Sequence, residues 1–115
     1  MIDIVEYLRE DGRSPFGHWF DRLEARAAAK VAVARLKLAA GQMGNVKPVG
    51  EGVAEYRIDY GPGYRLYFGQ DGARLILLLL GGDKTTQPGD IAKAKTYWQD
   101  YKRRKKEDAG HAPHP

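Results

Sequence analysis

The sequence predicts an α+β domain in which a mostly antiparallel, twisted sheet is packed with helices. Three observations lead to this class: strand-length apolar runs, longer segments with helical spacing, and a chain of 115 residues without an internal repeat. The strand-like runs are 2–7, 53–60, 64–69 and 73–80, and the helical segments are 15–24, 25–42 and 91–106. The predicted order is β-α-α-β-β-β-α in one domain of residues 1–106, and the tail 107–115 is expected to be disordered.

The first strand and the first helix are separated by a helix-start signal. Residues 2–7 alternate apolar and polar side chains, which indicates a strand. Ser14 offers a side chain that caps a helix, and the fixed φ of Pro15 suits the first helical position. The helix is then expected to bury an apolar stripe. The stripe consists of Phe16, Trp19, Phe20 and Leu23, at spacings of three and four.

The second helix is predicted by its alanine-rich composition, since alanine has the highest helix propensity. Its inward face is expected to consist of small apolar residues. These are Ala27, Val31, Ala34 and Leu38. Gly41 offers a C-terminal stop. The next segment, NVKPVGEGV at 45–53, is rich in glycine and proline and is expected to be a loop.

The segment EYRIDYGPGYRLYF at 55–68 predicts a β-hairpin whose two faces are separated by parity. Its apolar residues occupy even positions, whereas arginine, aspartate and glutamate occupy odd positions. Strand side chains alternate between faces, so even positions must pair with even positions. A three-residue loop, Gly-Pro-Gly at 61–63, meets this condition when Tyr60 pairs with Tyr64, and its glycines accept positive φ values.

This register gives the hairpin one polar face. It places Ile58 opposite Leu66, Asp59 opposite Arg65 and Arg57 opposite Tyr67. One interpretation is the solvated side of a half-exposed hairpin with a cross-strand ion pair. The other is a working surface for a negatively charged substrate.

The last strand and the last helix differ sharply in composition. The run LILLLL at 75–80 lacks alternation, which predicts a central strand covered on both faces. Residues 93–106 carry seven Lys/Arg against one Asp, a net +6 in a chain of net +4. This asymmetry suggests a polyanion or an acidic protein as partner, although a solvated helix end has the same composition. At least one of Tyr97, Trp98 and Tyr101 is expected to anchor the helix to the core.

Composition argues against several classes of function. The chain has no cysteine, and two of its three histidines, His111 and His114, lie in the Pro/Gly/Ala-rich tail, so no metal site or cofactor is expected. No apolar run approaches the ~20 residues of a membrane span. The N-terminal MIDIVEYLRE lacks the apolar region of a signal peptide, so a cytoplasmic protein is expected.

Three segments together resemble a known group of bacterial toxins. GVAEYRIDYGPGYRLYF, LILLLL and GGDKTTQPGDIAKAK are similar to the RelE/ParE/HigB superfamily, and more narrowly to its "addiction module killer protein" (HigB-like) subgroup. The resemblance extends over about 100 residues. It implies a RelE-like fold and a type II toxin, a metal-independent endoribonuclease that cleaves mRNA in the ribosomal A site and inhibits translation.

The resemblance also implies roles for particular residues. Arg65 matches the arginine of the family's Tyr-Arg-hydrophobic strand and is assigned to the scissile phosphate. Arg57 and Lys84 are assigned to phosphate stabilisation, and Lys84 also to proton donation. Asp59 is a candidate acceptor for the proton of the 2′-OH. Phosphate binding suits arginine, because its planar fork donates two parallel hydrogen bonds.

A further set of residues is assigned to RNA binding. RelE has a base-stacking tyrosine after its last strand, whereas KTTQPGDI here has none, so Tyr67 is a candidate, with Tyr97, Trp98 and Tyr101 as alternatives. The basic contacts are assigned to Lys47, Lys93, Lys102, Arg103, Arg104 and Lys105.

The implied partners are the 70S ribosome with mRNA and a HigA-like helix-turn-helix antitoxin. Two alternative functions stay open: a non-enzymatic ParE-like inhibitor of DNA gyrase, and a remnant that only binds an antitoxin and acts in transcriptional autoregulation.

Overall fold

The computed structural model describes residues 1–110, which form one five-stranded sheet and three helices. The elements are β1 (Asp3–Glu6), α1 (Pro15–Phe20), α2 (Ala25–Ala39), β2 (Val46–Gly50), β3 (Val53–Ile58), β4 (Tyr64–Asp71), β5 (Leu75–Asp83) and α3 (Gln87–Gly110). The strand order is β1-β5-β4-β3-β2, with β1 parallel to β5 and the other neighbours antiparallel. The predicted α+β class is confirmed, and the sheet is mixed.

The first two helices follow their sequence signals. The Ser14 side chain accepts a hydrogen bond from the backbone N–H of Gly17 at 2.8 Å, and Pro15 begins α1. The predicted inward face of α2 is buried, and the left-handed φ of 78° at Gly41 follows the end of the helix. Helix α1 is shorter than predicted, since it ends at Phe20.

The segment 45–53 is not a simple loop, because it contains β2. This strand pairs with β3 at the edge of the sheet, where Pro48 lacks a backbone N–H without interrupting a central ladder. Gly50, Glu51 and Gly52 then turn the chain with φ values of 103°, 56° and 83°. The proline and glycine content of this segment indicated a loop, although the segment contains an edge strand. The predicted element order therefore lacked one strand.

The hairpin prediction was correct in parity and wrong in register. Ile58 pairs with Tyr64 and Arg57 with Arg65, so the connection comprises the five residues 59–63. Asp59 does not lie opposite Arg65. Two turn hydrogen bonds replace the cross-strand bonds that the predicted register would have made here. The Tyr60 N–H donates to Ile58 O, and the Gly63 N–H donates to Tyr60 O, both at 3.0 Å. Parity could not exclude this register, since it differs from the predicted one by two residues.

The sheet has a core on each side. The first core lies against α1 and α2, and its buried residues are Phe16, Val31, Ala34, Leu38, Tyr56, Ile58, Leu66, Phe68, Ile76 and Leu78. The second core lies against α3, and its buried residues are Tyr7, Val53, Tyr67, Leu77, Leu79, Ala94 and Trp98. Helix α3 thus covers most of the hairpin face that the sequence suggested was polar and accessible.

Two tryptophans lie flat against the sheet, one on each side. Trp98 of α3 covers Gly69, and Trp19 of α1 covers Gly81; a Cβ at either glycine would overlap the indole. A β-bulge between Tyr67 and Phe68 shifts the β4–β5 register, which places Gly81 opposite Leu66 on the first-core side.

Helix α3 is longer than predicted and begins earlier. It includes residues 107–110, so the expectation of a disordered tail from 107 is wrong for those residues, and 111–115 lie outside the described part. None of the described helices is sufficiently long and apolar to cross a membrane.

Candidate functional site

A basic cleft opens at the hairpin end of β3 and β4. It has a volume of about 620 Å³, and its charged lining residues are Lys47, Arg57, Arg65, Lys84 and Asp59. The structure therefore brings together all three residues predicted as catalytic, the candidate proton acceptor and one predicted RNA contact. Four cations face one carboxylate in this lining, which favours an anionic ligand.

Three elements carry the predicted catalytic cations of the cleft. Arg57 on β3 is directly opposite Arg65 on β4, while Lys84 follows β5. A Cβ on Gly63 would lie 3.5 Å from Arg65 Nη1 and 3.8 Å from Lys84 Cβ, so Arg65 and Lys84 meet at this glycine. Like charges directly opposite on neighbouring strands are destabilising, and an anion between them would relieve this cost.

Arg65 is buried at the floor of the cleft and is held by Glu55. The two residues are 5% and 3% exposed, and Arg65 Nε lies 3.5 Å from Glu55 Oε2. Arg65 Nη1 donates a hydrogen bond to Gly63 O at 3.0 Å, whereas its Nε has no hydrogen-bond acceptor among the described residues. Gln87 Nε2 donates to Glu55 Oε2 at 2.9 Å, which connects the pair to the first turn of α3.

Sequence reasoning missed Glu55, although a signal was present. Glu55 is an odd-numbered residue on the same strand face as Arg57, and the observed register puts it opposite Tyr67, diagonal to Arg65. The register predicted from parity placed Glu55 further from Arg65 and gave Arg65 a different carboxylate, Asp59.

Lys84 is held by a compact turn. The Asp83 carboxylate accepts hydrogen bonds from the backbone N–H and the hydroxyl of Thr85, at 2.8 and 2.6 Å. Both bonds lower the pKa of Asp83, and the bond from the Thr85 hydroxyl makes the larger contribution. Asp83 is thus engaged in shaping the turn, and the exposed Lys84 side chain remains at the cleft.

The assignment of Tyr67 to RNA binding is wrong. Its side chain is 0% exposed within the second core, so no base can stack on its ring. Burial, with a further contribution from the negative charge of Glu55, raises the pKa of Tyr67 far above its ordinary value. Its hydroxyl has no hydrogen-bond partner in the described part of the chain.

The basic end of α3 does not reach the cleft. Helix α3 starts beside the Glu55–Arg65 pair, and Lys102 lies roughly 22 Å further along its axis. Arg103 and Arg104 both pair with Asp100 at 2.6 Å, and Lys105 pairs with Asp71 at 2.6 Å. Three of the residues assigned to RNA binding, Arg103, Arg104 and Lys105, are therefore engaged by carboxylates of the same chain.

The aromatic residues of α3 are structural anchors. Trp98 belongs to the second core, as expected for at least one of the three. Tyr101 donates a hydrogen bond to Asp71 at 2.6 Å, and burial together with that bond raises the pKa of Tyr101 to about 12. Tyr97 stacks on Tyr7 with a centroid distance of 5.1 Å. Burial and a hydrogen bond to Asp100 raise the pKa of Tyr7 to about 12.

Comparison with known proteins finds a relative in Haemophilus influenzae. The chain is 42% identical over 86 residues to an uncharacterized protein of Haemophilus influenzae, and the match covers 74% of this chain and 87% of the relative. No protein-family model matches the chain.

Proposed function

The chain belongs to the same family as that Haemophilus influenzae protein, and we propose that it is a type II toxin that cleaves mRNA on the ribosome. The observation that carries the proposal is the convergence of Arg57, Arg65 and Lys84 on one cleft. The sequence resemblance to RelE and HigB toxins supplies the reaction. The same proposal includes a RelE-like fold, a HigA-like helix-turn-helix antitoxin and a cytoplasmic location.

In the proposed reaction, the ribose 2′-OH attacks the adjacent phosphorus and the bond to the 5′-oxygen breaks. The products are a 2′,3′-cyclic phosphate and a 5′-OH. Asp59, the carboxylate of the cleft, accepts the proton of the 2′-OH, and Lys84 donates a proton to the leaving oxygen. Arg57 and Arg65 bind the non-bridging oxygens, where negative charge accumulates in the transition state.

The buried Arg65 supports this assignment because it is already oriented. Its contacts with Glu55 and Gly63 restrict the guanidinium before any substrate arrives. A fixed cation in a partly dehydrated site stabilises developing charge more than a mobile surface cation does. Arg57 and Lys84 are exposed, and in the proposed complex they contact the phosphate from the side that faces solvent.

Alanine at Arg57 or Lys84 is expected to lower mRNA cleavage by about 100-fold, since each removes one donor to the transition state. The test is a translation extract in which the 5′ ends of a translated reporter mRNA are mapped and their 5′-OH is verified. Both side chains are exposed, so melting temperatures should stay near that of the parent protein.

The matched control is Lys37→Ala, which removes an exposed cation of α2 outside the cleft and should leave cleavage unchanged. Intact reporter mRNA together with inhibited supercoiling by DNA gyrase would contradict the proposal. That outcome would favour the non-enzymatic alternative.

A further inference from the structure

The first turn of α3 reaches the floor of the basic cleft. Gln87, the first residue of this helix, donates a hydrogen bond from Nε2 to Glu55 Oε2 at 2.9 Å. The same carboxylate oxygen lies 3.5 Å from Arg65 Nε. Glu55 and Arg65 are buried, whereas Gln87 is half-buried and does not line the cleft. Gln87 is therefore connected to Arg65 through Glu55, without a contact to the cleft itself.

The contacts of Arg65 restrict its guanidinium incompletely. The 3.5 Å between Arg65 Nε and Glu55 Oε2 is longer than the ~2.7–2.9 Å of a charge-assisted hydrogen bond. Arg65 Nη1 donates to Gly63 O at 3.0 Å, while Nε has no hydrogen-bond acceptor within residues 1–110. Because the ionic contact is long, the orientation of the guanidinium depends on where the Glu55 carboxylate is held.

Packing against β5 holds Gln87 in place. Gly82 lies opposite Arg65 in the β4–β5 register. A Cβ at Gly82 would overlap the Asp90 carboxylate and lie 2.9 Å from Thr86 Oγ1. Thr86 and Asp90 lie on either side of Gln87 in the chain. The first turn of α3 therefore rests directly on the strand beside Arg65, in the space that a side chain at Gly82 would fill.

The segment that leads into α3 also carries Lys84. Thr86 Oγ1 accepts a hydrogen bond from the backbone N–H of Asp83 at 3.2 Å, which closes the turn around Lys84. The bond from Gln87 then joins this segment to Glu55. Loss of that bond would loosen the carboxylate that faces Arg65 and its connection to the turn of Lys84.

We propose that Gln87 is a positioning residue, whose bond to Glu55 fixes the orientation in which the Arg65 guanidinium meets a phosphate in the basic cleft. The inference deepens the proposed function and rests on it for the identity of that phosphate, one of an RNA backbone. Orientation matters because a guanidinium donates two parallel hydrogen bonds to a phosphate only in a fixed geometry. Donors that are already oriented need no rearrangement when charge develops in the transition state.

The Gln87→Met variant tests the orientation of Arg65 directly. Methionine is also unbranched and of similar length but donates no hydrogen bond, so the carboxylate of Glu55 loses its donor. The Nε–H signal of Arg65 is assigned in a nitrogen NMR spectrum by its loss in Arg65→Lys, and its exchange with water is measured. Exchange is expected to be about 10-fold faster in Gln87→Met, because a hydrogen bond to a charged group is worth at least that factor. The backbone N–H groups of β4 should exchange at the parent rate, which separates a freer side chain from a weakened fold.

Cleavage tests the consequence for the reaction. Ribosomes carrying a reporter mRNA are mixed with excess protein, and the maximal rate and the half-saturating protein concentration are measured. Gln87→Met is expected to lower the maximal rate about 10-fold, since misplacement of a catalytic group slows the chemical step. The half-saturating concentration should change by less than about 2-fold, because Gln87 does not line the cleft.

Gln99→Met is the matched control, because Gln99 is an exposed glutamine of the same helix outside the cleft. It should leave the exchange of the Arg65 Nε–H and both kinetic quantities unchanged. Thermal unfolding of each variant verifies that it is folded at the temperature of the assay.

The inference and the proposed function fail in different ways. Parent-like exchange of the Arg65 Nε–H in Gln87→Met, or faster exchange with an undiminished maximal rate, would overturn the positioning role. Equally faster exchange of the β4 backbone would also overturn it, since the bond would then act on stability alone. Absence of cleavage by the parent protein would overturn the proposed function, and the exchange of the Nε–H would still decide whether Gln87 orients Arg65.

Discussion

Arg65→Ala should lower the free energy of unfolding by about 3–5 kcal/mol, because it leaves the carboxylate of Glu55 buried without its cation. Glu55→Ala should have a comparable effect, since Arg65 then loses its ion pair. Urea denaturation followed by circular dichroism measures both. The loss from Arg65→Ala is therefore expected even where no RNA is present.

Arg57→Ala is the matched control, because Arg57 occupies the position directly opposite Arg65 but is exposed. It should change the free energy of unfolding by less than about 0.5 kcal/mol. The double variant Glu55→Leu/Arg65→Met should be more stable than either single variant, since removing both charges leaves neither unpaired. Equal losses from Arg57→Ala and Arg65→Ala would show that the ion pair does not stabilise the fold.

The burial of Arg65 also decides how catalysis is tested. Loss of cleavage in Arg65→Ala would combine a missing phosphate contact with a weakened fold. Arg57 and Lys84 are the better probes of chemistry, because their substitution leaves no buried carboxylate behind. Cleavage by Arg65 variants should be compared only at temperatures where each variant is folded.

Gly69→Ala is expected to lower the free energy of unfolding by about 3 kcal/mol, at the upper end of the range for overpacked cores. A Cβ at position 69 would overlap the ring of Trp98, which α3 presses against the sheet. Helix α3 must then move outward or Trp98 must change rotamer. Thermal unfolding and the near-ultraviolet dichroism of tryptophan measure the two consequences.

Gly89→Ala is the control for this substitution. Gly89 lies in the first turn of α3, and a Cβ there would project into open space, so alanine should stabilise the protein by up to about 1 kcal/mol. The double variant Gly69→Ala/Trp98→Leu should lose less free energy of unfolding than the sum of the two single losses. Leucine is smaller than tryptophan and leaves room for the new Cβ at position 69. A Gly69→Ala protein as stable as the parent would show that Trp98 does not pack on this glycine.

Local patterns determined much of the fold. The cap at Ser14 and the stop near Gly41 depend on contacts within a few residues, and the inward face of α2 follows from the spacing of its apolar residues. The parity of the hairpin was also readable, since alternation is a property of every strand. Parity also placed Arg57, Asp59 and Arg65 on one polar face, whereas Lys84 and Lys47 became candidates only through the resemblance to RelE and HigB toxins.

Tertiary packing decided the rest. Parity allows registers that differ by two residues, and the register of the folded sheet separates Asp59 from Arg65. Only the docking of α3 shows that Tyr67 is buried and that Glu55 holds Arg65, because a strand face does not reveal which helix will cover it. The amino-acid order therefore determined which side chains share a face, whereas contacts between residues distant in the chain determined which of those faces meets solvent.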